Sequence, residues 1–356
     1  MKTRARLAIG GIAALIAVSG STEAVAHAAA PGQTQTVTRP ARTTAETIFA
    51  KGPDVFPHSV AYDAATKSFV VGSLKDPTVS VVGQNGNVRT LVDDPRLIST
   101  QGVALDLARN RVLVTNVDYG FADGSASGVK LGVAGVASYN LSTGARQWYV
   151  DLTKAGDVGP QHLVSDVVVA PDGTAYAVDG LTHTIFRIDR QGHASVFLDS
   201  DLLAGTVDVS TLLTNLGATA LSLVPGHLLI VTKADGTLVR VPLDHPDRAT
   251  LVRLNTNLVP LVAAETTLPD GSIATVSSGL LSGNAAVVER VCPSNDWTSA
   301  TATVTDTVTD PVTSGISAGP DGSTYTLSGG IAQLLGGEPN SGFFLRPVQV
   351  GSKKFE

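Results

Sequence analysis

One unit recurs six times along this chain: a short apolar strand, a tight turn, then a second apolar strand. The copies read HSVAYDAATKSFVVGS from His58, QGVALDLARNRVLVTN from Gln101 and SDVVVAPDGTAYAVDG from Ser165. They continue as TALSLVPGHLLIVTKADG from Thr219, AAETTLPDGSIATVSSG from Ala263 and SGISAGPDGSTYTLSGG from Ser314. Two further strand-like runs follow most copies, such as TVSVV and VRTLV after the first and HTIFRI and HASVFL after the third. Four strands per roughly 40 to 50 residues is the period of a β-propeller blade. A lone blade cannot bury its two faces; neighbours cover them, and ring closure removes the open edges. The repeat therefore predicts an all-β, six-bladed β-propeller with four-stranded blades. The alternative is a two-sheet β-sandwich array, which six-fold recurrence disfavours.

The ends of the repeat region predict how the ring closes. ETIFA at Glu46 precedes the first copy and GFFLRPVQV at Gly342 ends the last. Together they are expected to complete one blade, with the N-terminal run as its outer strand. The PDG triplets at Pro171, Pro269 and Pro320 read as turns between the first two strands of a blade: Pro sets φ and Gly supplies the positive φ. Residues 118–131, inside the second blade, and 199–217, between the third and fourth, exceed the period. Both read as rim loops, with a helical turn expected at 209–215.

Residues 1–30 carry Lys2, Arg4 and Arg6, then an apolar run, then small residues to Ala30. That pattern is a secretory signal; the run is short for a membrane anchor, which needs about 20 apolar residues. The expected organisation is a signal at 1–30, a flexible Thr-rich lead at 31–45, the propeller at 46–350 and a tail at 351–356. Secretion as a soluble, extracellular monomer follows. Cys292 is the single cysteine, which excludes a disulfide-built fold and a Cys-based zinc site; it reads as a semi-buried thiol in a late-blade loop. A formal charge of −6 without a Lys/Arg cluster argues against nucleic acid as partner.

The run FPHSVAYDAATKSFVVGSL from Phe56, GNVRTLVDDPRL at Gly86 and GVALDLARNRVLV at Gly102 resemble the senescence-marker/gluconolactonase-like superfamily of six-bladed propellers. SDVVVAPDGTAYAVDG and HTIFRIDRQGHASVF extend the likeness, which is strongest to the calcium-dependent phosphotriesterase-like branch. The resemblance implies a central calcium and hydrolysis of lactones, esters or organophosphates. The family's metal ligands stand where the inner strands begin, as a Glu, Asn residues and an Asp. The same offset here holds His58, Gln101, Ser165, Thr219, Ala263 and Ser314. None is a carboxylate or Asn, unless a two-residue slip brings in Glu265. Calcium takes six to eight oxygens, usually with formal negative charge among them. The family site is therefore expected to be degenerate and no cofactor is expected, with Glu265 and Asp166 as replacement ligands if calcium is retained. A zinc ion on His58 and His162 is a less favoured option.

His58, His162 and Asp166 are the catalytic candidates. Gln101, Ser165, Thr219, Ser314, Asn116, Asp118 and Asp179 are candidates for ligand binding. The plainer readings are a hydrogen-bonded His, a buried Asp holding strands together, and strand-end or turn residues at Asn116 and Asp179. GISAG at Gly315 fits a nucleophile motif by letters only, because that motif needs a strand–turn–helix. Three functions follow: a secreted propeller binding a small or extended ligand at its axial mouth, a metal-assisted lactone or ester hydrolase, and a protein-interaction platform on the rim loops.

Overall fold

The computed structural model describes residues 45–52, 55–125, 131–156, 159–210, 213–294 and 296–351. The segments expected to be a signal at 1–30, most of the lead at 31–45 and most of the tail at 351–356 lie outside them. The strands form six separate sheets, one per repeat: a six-bladed β-propeller. The third blade shows the plan. Val164–Val169 is innermost, followed outward by Ala175–Asp179, Thr184–Ile188 and Ala194–Asp199, each antiparallel to the last. The other inner strands are Val60–Asp63, Ser99–Asp106, Ala218–Val224, Val262–Thr267 and Gly315–Ala318. Ser317 thus sits within an inner strand and not at an elbow.

Closure follows the sequence expectation. Ile48–Lys51 pairs antiparallel with Gly342–Val348 as the outer strand of the last blade. Ile48 and Ala50 turn inward into a core with Phe69, Tyr325, Leu327 and Phe343. The fifth blade departs from the four-stranded pattern. Arg253–Leu254 adds a fifth strand, parallel to the start of Ser299–Val308. Asn255 extends that contact, its side chain bonding both the N–H and the carbonyl of Ala302.

Alternating strand direction sorts the connections onto two faces. The starts of the inner strands, the blade-to-blade links and the second-to-third-strand loops share one face, the entry face. The first-to-second-strand turns occupy the other, the turn face. The PDG turns at Pro171 and Pro269 behave as expected, with Asp172 and Asp270 accepting from the N–H two residues on and Gly173 and Gly271 at φ 90° and 82°; at Pro320 Asp321 as well as Gly322 takes a positive φ, 56° and 73°. Both long loops belong to the entry face. In the second of them a 3₁₀ turn forms at Asp201–Leu203, and Val207 bridges Leu216. The expected helical turn at 209–215 does not form as such, because Val209 N–H donates forward to the Leu213 carbonyl, the reverse of a helical bond; residues 211–212 lie outside the described set. Cys292 falls in the strand Ala286–Pro293 and is exposed, not semi-buried in a loop.

Candidate functional site

An axial cavity of about 330 Å³ runs down the ring, walled by all six inner strands. Four of the six sequence-derived axial positions coincide with irregularities in those strands. Register slips at Ser165, Thr219 and Ala263, each an extra residue against its neighbouring strand. In the second blade the slip spans Gln101 and Gly102. A bulge interrupts the ladder and re-aims side chains, so one device recurs where the blades converge. Gly102 is needed for close approach, since a Cβ there would lie 2.9 Å from the Asp166 Cα. His58, Ser165, Ala263 and Ser314 line the cavity, and so do Asp166 and Glu265.

The two ends of the cavity differ. At the entry end Gln101, Ser165, Thr219 and Ser314 are buried. Above them Phe56, Leu74 and Leu334 pack with Tyr119, Phe121 and Ile331, all from entry-face connections. The helix Ile331–Gly336 belongs to this cap, and the Tyr119 and Phe121 rings stack at 5.2 Å. At the turn end Tyr62, Leu105, Val169, Leu223, Thr267 and Ala318 all keep solvent exposure. The cavity is therefore wider to solvent on the turn face, opposite the long loops.

A polar relay fixes His58 at the closed end. Tyr119 O–H donates to Gln101 Oε1 at 2.6 Å, which leaves the Gln101 amide N–H to donate to His58 Nε2 at 3.2 Å. His58 then carries its proton on Nδ1, and its Nε2 lone pair is occupied. Burial lowers its pKa to about 4, so the ring is neutral. Asp166 accepts from Val167 N–H at 2.8 Å and from Leu221 N–H of the next blade at 3.2 Å. Burial pushes it up to about 7 against those two bonds. Glu265 accepts from the Thr232 hydroxyl; burial, and then the nearby Asp166 charge, push it up to about 8.

The other candidates serve as knots. His162 is buried and bonds through Nδ1 to Asp179 Oδ2 at 2.9 Å, away from the cavity wall. Asp179 Oδ1 also gathers the N–H groups of Leu163, Leu181 and Thr182. Asn116 ties Ile98 N–H, the Arg96 carbonyl and Tyr149 O–H. Asp118 accepts from Gly120 N–H and the Ser125 hydroxyl. Ser165 and Thr219 hydroxyls reach carbonyls, whereas the buried Ser314 hydroxyl has no partner. Sequence reasoning missed Tyr119, Ser222 and Thr232; only the loop length around Tyr119 offered a signal.

Solved structures place this architecture. The allergen Mala s 1 of Malassezia sympodialis superposes with a TM-score of 0.69 at 16% identity, over 87% of this chain and 98% of that one. A gluconolactonase of Xanthomonas campestris gives 0.52 at 13% identity, over 84% and 87%. The calcium-binding protein regucalcin of Agrobacterium tumefaciens gives 0.53 at 13%, over 85% and 96%. In fold, the chain resembles the gluconolactonase-like six-bladed propellers. Neither protein-family models nor curated protein sequences give a match. Among the described residues no helix is long and apolar enough to cross a membrane.

Proposed function

We propose that this chain is an exported propeller that binds a small or extended uncharged ligand in its axial cavity, with the calcium site of its fold relatives degenerate. One feature carries the reading: the ionisable groups on the cavity wall, His58, Tyr62, Asp166 and Glu265, are all pushed by burial toward their neutral forms. A wall whose acids are pushed toward their protonated forms suits neutral polar and apolar ligand surface, and the volume falls in the usual range for small-molecule sites, about 300–1,000 Å³. The donor set does not suit calcium. The axial ring offers an imidazole, an amide whose oxygen already accepts from Tyr119, and hydroxyls. Each Asp166 oxygen already accepts from a backbone N–H, and burial pushes both Asp166 and Glu265 toward protonated forms that hold calcium poorly.

Hydrolysis of lactones or esters remains the second reading, because Asp166 and Glu265 titrate near the working pH of a general acid or base. The test uses protein recovered from the medium after expression with residues 1–30. Calcium titrated into it by calorimetry is expected to give no saturable heat. A panel of lactones and aryl esters is expected to show no metal-dependent turnover. Tight calcium binding, with turnover abolished by a chelator, would replace the first reading with the second.

A further inference from the structure

A second cavity, of about 280 Å³, opens on the turn face at the seam where the first and last blades meet. Lys67 and Gln84 come to it from two turns of the first blade, and Asp321 and Gly322 from the PDG turn of the last. Tyr62 is the one residue it shares with the axial cavity. The last PDG turn is built differently from the other two. Asp172 and Asp270 fold back onto their own turns, each accepting from the N–H two residues on. In the last turn that N–H, of Ser323, donates to the Pro320 carbonyl instead. Asp321 and Gly322 both take positive φ, a pairing that Asp-Gly favours. The Asp321 carboxylate is left exposed, with no hydrogen-bond or ion-pair partner among the described residues. Its charge, after burial, raises the pKa of the Tyr62 hydroxyl. Lys67 stands on the opposite lip, also at positive φ, 52°, with its carbonyl held by Gln84 Nε2 at 3.3 Å. Its ammonium is exposed and has no partner among the described residues.

Opposite charges thus line one cavity from two different blades without closing into an ion pair. Two further acids lie near but not on its wall. Asp63 is committed to Ala65 N–H and the Thr66 hydroxyl, and the Glu46 charge acts on Tyr325. We infer that the seam pocket binds a free apolar α-amino acid, with its carboxylate on Lys67, its ammonium on Asp321 and its side chain against Tyr62 and Pro320. A simple anion at Lys67 would be repelled by Asp321, and a simple cation at Asp321 by Lys67; a zwitterion meets both charges favourably. The volume lies at the lower end of small-molecule sites, about 300 Å³, which suits a ligand of this size. The inference does not rest on the axial ligand reading. An occupant would join the first blade to the last.

Calorimetric titration of the full chain with L-leucine, L-leucinamide and N-acetyl-L-leucine tests this. L-leucine is expected to bind saturably, and each analogue, which carries only one of the two charges, to bind roughly tenfold more weakly. Lys67→Gln and Asp321→Asn alter exposed turn residues off the axial wall, so both variants should fold as the parent does. Each should weaken L-leucine by a similar factor. No saturable heat with L-leucine would overturn the proposal. N-acetyl-L-leucine binding as tightly as L-leucine would make the pocket a plain anion site and overturn the zwitterion. Undiminished binding of L-leucine in both variants would place it elsewhere, the axial cavity included, and refute the seam site while leaving the axial reading intact.

Discussion

A carboxyl group sunk among strands needs donors or a proton, and Asp166 and Glu265 answer that need in different proportions. Asp166 has two backbone donors and is pushed up to about 7; Glu265 has the Thr232 hydroxyl and reaches about 8. Both titrate near 4 in an unfolded chain. The folded state thus keeps protons that the unfolded state has released. Their stabilisation is complete below about pH 4 and is lost as pH rises through 7 and 8. His58 opposes them: lowered to about 4 from 6.5, its contribution is present above 6.5 and is lost as pH falls toward 4. Above pH 6.5 only the acids act. Tm is expected to fall from pH 6.5 to 9, with a loss on the order of 3 kcal/mol at about 1.4 kcal/mol per pH unit and group. Glu265→Gln should remove the larger part of the slope. A Tm that holds level or rises across that range contradicts the burial of these acids.

At the scale of elements, the turn-face links between blades are carried by side chains. Arg111, at the start of the second blade's second strand, pairs with Asp106 at 2.9 Å, both buried, and donates to the Gly173 carbonyl in the next blade's PDG turn. Arg109 supports the same carboxylate and reaches the Pro171 carbonyl. Arg111→Met leaves Asp106 buried with one partner, and is expected to cost about 3 kcal/mol. Asp106→Asn in the same chain should recover part of that loss. Equal losses in the single and double variants, read from denaturant unfolding, would show that the pair is not the cause. The blades themselves were legible in the sequence because each inner strand and its successor carry alternating or continuous apolar runs bounded by Gly, Pro and Asp. The bulges were not, since an extra residue in a strand leaves the composition unchanged. Nor was the fifth strand Arg253–Leu254, whose two residues have no periodicity to read. Axial positions counted from the turns fell on the bulges in four blades, yet Gln101 and Thr219 do not line the cavity. Their side chains are committed to His58 and to a carbonyl, and partners distant in sequence decide that.

The whole molecule depends on one late contact. Ile48 and Ala50 are buried only where they cover the last blade, and Tyr325 O–H reaches back to the Glu46 carbonyl. A chain beginning at residue 53 loses that strand and leaves the edge of Gly342–Val348 open. Its Tm is expected to fall by about 10 °C, from the loss of roughly 3–5 kcal/mol of apolar burial and strand pairing. A peptide covering 44–52, added in trans, should restore part of the loss. An unchanged melting curve would show that the ring does not rely on this closure.

Ile48–Lys51 is made first and used last. Ile48 and Leu345 stand roughly 300 positions apart, so at about 5–20 residues per second the first strand waits roughly 15–60 seconds for its partner to be synthesised. Through that interval the nascent chain carries an unmatched strand at each end of the growing ring. The order of synthesis therefore leaves the chain threadable until its final blade is complete, and makes that blade the step at which misassembly with a second copy competes with closure.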